Sequence, residues 1–253
     1  MAGPDQDRMR AARLMSTLVL TAHGSRDPRS ADNARAVAAA LRRMRPNLDV
    51  RLAFLELCAP NFVEVLAELP DSQRAVVTPL LLASAYHART DIPEQIARSG
   101  ALGVREAAVL GEDDRLVSVL RDRLAERGVS PRDRNIGVLV VAVGSSHAPV
   151  NARTARVAAK LGAGTRWAGT TMAFATGPKP SVADAAAQLR ASGARRLVIA
   201  PWFLAPGLIT DRVWKYACDN DIAMARPMGA HPLVAQTVLD RYDQALATGD
   251  AAA

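Results

Sequence analysis

The segment VTPLLLASAYHARTDIP, residues 77–93, decides how this chain folds. It opens with an apolar run that lacks regular polar alternation, which is typical of a strand covered by helices on both faces of a parallel sheet. Thr90 or Asp91 then predicts the cap of a helix, whose first turn accommodates Pro93 because the missing N–H would have no partner there. His87 therefore lies between a strand and the next helix, at the edge where open α/β sheets bind ligands.

Strand and helix patterns alternate along the first half of the chain. The predicted strands cover residues 18–20, 50–55, 76–82 and 104–109, and the predicted helices run through 31–41, 62–69, 92–96 and 116–124. Each helix shows apolar residues at helical spacing. Four consecutive βα units predict a parallel, doubly wound sheet with right-handed crossovers.

The second half of the chain repeats the first. Gly24 and Phe54 recur as Gly144 and Phe174, both 120 positions later, and from the third strand onward the spacing becomes 122. Because the spacing holds across strand ends and helix faces, it indicates an internal duplication. We predict an α/β protein with two tandem, doubly wound parallel-sheet domains. The expected divisions are a disordered leader over 1–16, an active domain over 17–129 and a degenerate, structural domain over 130–253.

Three residues that follow predicted strands in the first copy are not kept in the second. They are His23, Glu56 and His87. Their equivalent positions hold Val143, Thr176 and, near the third, Leu208 or Ile209. The second copy keeps core and turn residues instead, so we assign any activity to the first half.

These three side chains have a chemistry in common. Adjacent parallel strands lie about 4.8 Å apart, so residues at three strand ends can converge on one ligand. Two imidazoles and a carboxylate suit a divalent metal such as Fe²⁺, Co²⁺ or Ni²⁺. They are equally suited to act as general bases, since the unperturbed pKa of histidine is about 6.5.

Composition narrows the classes of partner. The net charge of +7 is spread along the chain without long basic blocks, which favours an acidic small molecule over nucleic acid. Cys58 and Cys218 are distant in sequence and predict neither a disulfide framework nor a cysteine metal site, so we expect a cytoplasmic protein.

No apolar run approaches the roughly 20 residues that cross a bilayer. The charged residues 1–16 lack a secretory core and are interpreted as a leader, or as an overlong start before Met15.

Three segments of the first half resemble the sirohydrochlorin chelatases, class II chelatases whose fold is related to that of the protoporphyrin ferrochelatases. They are LTAHGSRDP (residues 20–28), AFLELCAPNF (53–62) and TPLLLASAYHARTDIPE (78–94). The second half resembles the degenerate partner domain of longer bacterial members. The resemblance implies that a divalent metal is inserted into a tetrapyrrole. His23, His87 and Glu56 then occupy the catalytic and metal-binding positions.

The resemblance also implies the ligands. The metal is a substrate, Fe²⁺ on family grounds and otherwise Co²⁺ or Ni²⁺, and we expect no permanently bound cofactor. The tetrapyrrole is expected in a cleft between the two halves, where ring distortion would expose its nitrogens and a histidine or Glu56 would accept their protons. Its carboxylates suit the arginines of the motifs. The predicted substrate contacts are Ser25, Arg26, Arg29, Ser84 and Arg89.

Two other functions stay open. The first is a cobalt or nickel chelatase, and the second is a carrier that binds a tetrapyrrole or metal without turnover. A nucleotide-binding α/β protein is disfavoured because no GxGxxG or GxxxxGK motif follows a predicted strand. Two fused repeats can enclose a cleft in one chain, so we expect a monomer with pseudo-dimeric halves, with a homodimer as the alternative.

Overall fold

The structure is a computed structural model that describes residues 16–70, 74–83 and 90–250. Strands and helices alternate along the chain. The strands are β1 Ser16–Ala22, β2 Val50–Phe54, β3 Arg74–Pro79, β4 Val104–Glu106, β5 Ile136–Ala142, β6 Gly169–Phe174, β7 Arg196–Pro201 and β8 Ala223–Met224. The helices are α1 Pro28–Met44, α2 Phe62–Ala67, α3 Ile92–Ser99, α4 Asp114–Ala125, α5 Ala148–Gly162, α6 Val182–Ala191, α7 Leu208–Asp219 and α8 Pro232–Asp250.

The strands form two four-stranded parallel sheets with the same order. The first runs β2-β1-β3-β4 and the second β6-β5-β7-β8. Within the first sheet, Leu20 of β1 lies between Leu52 of β2 and Thr78 of β3. Leu18, Val19 and Leu20 are completely buried, as expected for a central strand covered on both faces. The predicted α/β class, with two tandem parallel sheets, is confirmed.

Two strands are shorter in the structure than the sequence predicted. β3 ends at Pro79 rather than continuing to residue 82, and β4 ends at Glu106 rather than at 109. Leu80 and Leu110 lie beyond these strand ends and are nevertheless buried. Apolar character reports burial, and a buried loop at the end of a strand carries the same signal as the strand itself.

The capping prediction for α3 is only partly correct. The helix begins at Ile92 with Pro93 in its first turn, as predicted. Asp91, however, has helical backbone angles (φ −68°, ψ −40°) and makes no capping hydrogen bond with its side chain. A capping side chain needs an extended backbone to fold back onto the helix, so this part of the prediction is wrong. Asp27 and Asn61 show that extended geometry and do cap α1 and α2.

Backbone hydrogen bonds confirm the internal duplication at the strand ends. The N–H of Leu55 donates to the carbonyl of Ala22 over 3.0 Å, and the equivalent bond from Ala175 to Ala142 measures 2.8 Å. The N–H of Glu56 donates to the carbonyl of His23, and in the second copy the N–H of Thr176 donates to the carbonyl of Val143. The structure therefore places Val143 and Thr176 where the sequence comparison predicted.

The chain divides into two compact units whose limits differ from the predicted ends of the repeats. The first unit contains the described residues up to Gly111 and those from Ala235 onward, and the second unit contains 112–234. The first sheet thus shares a unit with helix α8, and the second sheet shares one with helix α4. The boundary between residues 129 and 130 stays a prediction about the repeat in sequence.

Polar and apolar contacts fix both of these helices. Helix α8 buries Tyr242, whose hydroxyl lies 2.7 Å from the Ser16 hydroxyl and donates to the Ser16 carbonyl over 3.0 Å. Asp243 on the same helix forms an ion pair with Arg45 of the first unit. Helix α4 buries an apolar face that includes Leu120 and packs against β7 and α5 of the second unit. Each last helix of a repeat therefore completes a unit built mainly from the other repeat.

No helix among the described residues is both long enough and apolar enough to pass through a membrane.

Candidate functional site

A histidine and a carboxylate meet at the carboxyl edge of the first sheet. His23 follows β1 and Glu56 follows β2, the strand hydrogen-bonded beside it. The Nε2 atom of His23 lies 3.3 Å from Oε1 of Glu56, and the side chains are 39% and 50% exposed. The Glu56 N–H also donates to the His23 carbonyl over 3.1 Å. The backbone hydrogen bond holds the two residues side by side, and both side chains are partly exposed to solvent. A ligand can therefore reach the imidazole and the carboxylate together.

Gly24 permits this approach of the two strand ends. Its φ is +94°, and a Cβ atom built at this position would lie 1.8 Å from the carbonyl oxygen of Glu56. Any side chain would therefore push the loop that carries Glu56 away from His23. Gly144 in the second copy is equally constrained, with its Cβ position 1.7 Å from the carbonyl oxygen of Gly177. The glycine is thus a requirement of the fold in both copies.

Leu57 is a feature of this edge that the sequence analysis missed. It has a φ of +62°, a conformation that L-residues with side chains rarely adopt, and it is 59% exposed. The equivalent residue in the second copy is Gly177, with φ +105°. The first copy therefore keeps a strained, exposed leucine beside Glu56 at a turn where glycine is the unstrained choice. An alignment of the two copies already pairs Leu57 with Gly177.

Ser25 and Cys58 hold the two loops together behind this edge. The Ser25 N–H lies 3.5 Å from the Cys58 sulfur, and the Cys58 thiol donates to the Ser25 carbonyl over 3.2 Å. The Ser25 hydroxyl accepts the N–H of Asp27 over 3.0 Å. Ser25 was predicted to contact the substrate, but its N–H, carbonyl and hydroxyl groups all have partners within the protein. These partners point to a role of Ser25 in shaping the loop.

Arg26 of the first motif and Arg29, which follows that motif, differ in their surroundings. Arg29 donates through Nε to Asp27 over 3.0 Å and through Nη2 over 2.5 Å. The hydrogen bond from Arg29 lowers the pKa of Asp27, so the carboxylate keeps its charge. Arg26 is exposed and forms no ion pair with another described residue. Arg26 therefore presents a guanidinium whose charge is not balanced by a neighbour in that part of the chain.

Three predicted site residues lie outside the described residues, namely Ser84, His87 and Arg89. Their roles stay predictions. Across the part of the chain that is described, His, Cys, Asp and Glu form no group of three or more that could hold a metal ion. His23 and Glu56 are thus the two described members of the predicted three-residue constellation.

The corresponding edge of the second sheet carries different chemistry. Val143 replaces His23 and is 38% exposed. The hydroxyl of Thr176, in place of Glu56, donates to the Val143 carbonyl over 2.9 Å. The same backbone geometry thus presents a methyl-bearing surface, and the imidazole–carboxylate pair occurs only in the first of these two equivalent edges.

Both copies of the repeat are similar to known proteins. The family model described as CbiX matches residues 17–127 and 137–245. A sirohydrochlorin ferrochelatase of Priestia megaterium is 26% identical over 208 residues, covering 79% of this chain and 77% of that protein. A sirohydrochlorin cobaltochelatase of the same organism is 23% identical over 247 residues, covering 92% and 80%. Similarity thus extends to relatives named for two different metals.

A solved structure shares the fold over almost the whole chain. SirB from Bacillus subtilis with Fe³⁺ superposes with a TM-score of 0.81 at 22% identity, covering 93% of this chain and 97% of that one. The two-sheet architecture is therefore shared with that protein.

Proposed function

The chain belongs to the CbiX family, and from this membership we propose that it inserts a divalent metal ion, Fe²⁺ in the first instance, into sirohydrochlorin to form siroheme. The proposal rests above all on the His23–Glu56 pair, whose side chains lie 3.3 Å apart at the carboxyl edge of the first sheet. The exclusive presence of this pair in the first copy supports the assignment of activity to that copy.

Metal insertion divides into two tasks that suit these side chains. The incoming ion must exchange water for protein ligands, and two pyrrole N–H protons must leave the macrocycle as its nitrogens bind the metal. A neutral imidazole nitrogen such as Nε2 of His23 is a common ligand for first-row metals, and Glu56 can share the ion or accept a proton. His87 is proposed as the second imidazole. The exposure of His23 and Glu56 leaves room for a macrocycle over both.

Leu57 and Arg26 supply the complementary contacts for such a macrocycle. The exposed leucine beside Glu56 offers apolar surface to the face of the ring. Its contact with the ring then explains why a strained leucine stands at a position where glycine would be unstrained. Arg26 is suited to a peripheral carboxylate because arginine and carboxylate groups form paired hydrogen bonds. Arg29 is the weaker candidate, since Asp27 already occupies its guanidinium. Ser25 supports the loop, and Ser84 and Arg89 keep their predicted roles as substrate contacts.

The proposal is tested by His23→Ala and Glu56→Gln, with metal insertion followed by the change in the visible spectrum of sirohydrochlorin under anaerobic conditions with Fe²⁺. We expect kcat/KM to fall by about 100-fold or more for either variant, as is typical when an acid–base group is removed. His147→Ala is the matched control, because His147 is an exposed histidine of the second copy whose side chain makes no capping bond at α5. Full activity of His23→Ala would contradict the proposal.

A second candidate function, cobalt insertion, is favoured by the similarity to a cobaltochelatase. Histidine and carboxylate ligands accept iron, cobalt and nickel, so the donor set does not select one of them. Competition among the three ions for one pool of sirohydrochlorin gives the ratio of kcat/KM values directly. Binding without any acceleration of insertion would instead identify a carrier.

A further inference from the structure

A cleft of about 730 Å³ lies on the second unit, away from the carboxyl edge of its sheet. It is lined by the residues that follow α4, the end of α6 with the turn to β7, the first residues of β7, the end of α7 and strand β8. Because β7 and β8 are parallel, these segments mark the amino edge of the sheet. The cleft is therefore distinct from the carboxyl edge at which Val143 and Thr176 lie.

Positive charge dominates the lining of this cleft. Four arginines line it, namely Arg127, Arg190, Arg195 and Arg196, and Asp221 is the one acidic residue among the lining side chains. Arg196 lies 3.6 Å from Asp133. Within the described residues, the guanidinium groups of Arg127, Arg190 and Arg195 form no ion pair. Arginines that line one cleft without carboxylate partners repel each other, and an anion would relieve that repulsion.

An aromatic surface adjoins these charges. Trp214 of α7 lines the same cleft and is 50% exposed, although tryptophan usually buries most of its large apolar surface. An indole face beside guanidinium groups suits a ligand that combines a planar ring system with negative charge. The volume of the cleft lies within the range of small-molecule sites.

The first copy lacks this combination of residues. At the spacing of 120, Arg190 corresponds to Pro70. At the spacing of 122 that holds around and after the third strand, Arg195 corresponds to Gln73, Arg196 to Arg74 and Trp214 to Ile92. The copy without the imidazole–carboxylate pair thus carries two arginines and a tryptophan, at its opposite edge, that the first copy lacks. A common structural need of the fold would have produced similar residues in both copies.

We propose that this cleft binds a small polyanion with an aromatic plane. Arg190 and Arg195 would hold its carboxylate or phosphate groups, and Trp214 would stack on its ring. Two sources share this chemistry, a polycarboxylate tetrapyrrole and a nucleotide. The site acts independently of metal insertion in the first copy, so it does not depend on the proposed chelatase activity.

Calorimetric titration of the full chain with uroporphyrin, ATP and tripolyphosphate tests the proposal. Arg190→Gln/Arg195→Gln should weaken binding of uroporphyrin, ATP or both by about tenfold or more, because each lost guanidinium removes charge-assisted hydrogen bonds. Trp214→Ala should weaken the same probe but leave tripolyphosphate unchanged, since tripolyphosphate has no ring to stack. A selective effect on uroporphyrin identifies a tetrapyrrole site, and one on ATP identifies a nucleotide site.

The control is Arg153→Gln/Arg156→Gln, which removes the same charge from exposed positions of α5 that do not line the cleft. This variant should bind the probe as the unmodified chain does. Equal weakening in both double variants would overturn the proposal, because the effect would then come from net charge. Wild-type binding weaker than 1 mM for all three probes would overturn it as well. Metal insertion should proceed at the unmodified rate in the cleft variants.

Discussion

At the scale of single residues, the candidate site depends on two backbone positions beside Glu56. Gly24 allows two loops to touch, and Leu57 adopts a conformation that glycine would adopt without strain. Neither residue carries a group that does chemistry. Both nevertheless determine where the carboxylate of Glu56 lies and what surrounds it, so their substitution should separate stability from activity.

We expect Gly24→Ala to lower the free energy of unfolding by about 2 kcal/mol or more, because its Cβ would collide with the carbonyl of Glu56 in addition to the cost of the positive φ. Gly100→Ala is the matched control. Gly100 has φ +67° but no neighbour within 4 Å of the added Cβ, so this variant should lose only about 1 kcal/mol. Urea unfolding of both variants measures the difference, and equal losses would contradict a close contact at Gly24.

Leu57→Gly should stabilise the chain and weaken substrate binding at the same time. Relief of the positive φ is worth about 1–2 kcal/mol, and the added freedom of glycine in the unfolded chain offsets about 0.5–1 kcal/mol of it. The loss of apolar contact should raise KM for the tetrapyrrole. Leu102→Gly is the control: Leu102 is 68% exposed and has no positive φ, so the variant should lose stability with KM unchanged. An unchanged KM in Leu57→Gly would rule out the ring contact.

At the scale of elements, helix α8 has a histidine at its entry. Nδ1 of His231 accepts the N–H of Leu233 over 3.2 Å, and Nε2 lies 3.5 Å from Asp122. Burial and then the nearby Arg123 lower the pKa of His231, against the opposing charges of Asp122 and Glu126. The folded chain thus takes up the proton less readily than the unfolded chain, whose histidine titrates near 6.5.

The sign of the pH dependence follows from this difference. Stability should be complete above about pH 6.5 and should decline as the pH falls from there through the lower folded pKa, since protonation also removes the acceptor at Nδ1. His231→Asn keeps an acceptor for the Leu233 N–H and removes the titration. Its Tm should therefore fall less than that of the unmodified chain between pH 7.5 and 5.5. Parallel Tm curves would show that His231 contributes nothing to acid sensitivity.

The elements were largely predictable because burial and periodicity are local properties of the sequence. The continuous apolar character of β3 and the alternation of strands and helices indicated a parallel sheet, and the duplication fixed the equivalence of His23 with Val143. Strand ends were less predictable, since Leu80 is as apolar as the strand it follows. Leu57 was missed because an apolar side chain by itself gives no sign of a positive φ, and the one signal in the sequence was its alignment with Gly177 in the second copy.

At the scale of the whole molecule, each unit takes its last helix from the other repeat. Sequence could not predict this exchange, because α4 and α8 follow their repeats in the same order and local periodicity does not say which sheet a helix covers. Tyr242 illustrates the point: its fully buried hydroxyl pairs with Ser16, more than two hundred residues away.

A matched pair of substitutions tests the exchange. Leu120 of α4 and Leu239 of α8 are both buried, and leucine-to-alanine changes in cores cost about 2–5 kcal/mol. Leu120→Ala should reduce hydrogen-exchange protection in β5–β8, and Leu239→Ala should reduce it in β1–β4. Loss of protection in the sheet that precedes each helix in sequence would contradict the division into units.

The placement of α8 also bears on the order of events on the ribosome. The second unit is continuous in sequence, and its segments have all been made once residue 234 has been added. The first unit is discontinuous and waits for the residues that follow Ala235, although its sheet is synthesised first. Since domains generally fold as units while the chain emerges, the half that carries His23 and Glu56 should be the last to reach its native form. The nascent chain therefore completes the unit without the imidazole–carboxylate pair before the unit that carries it.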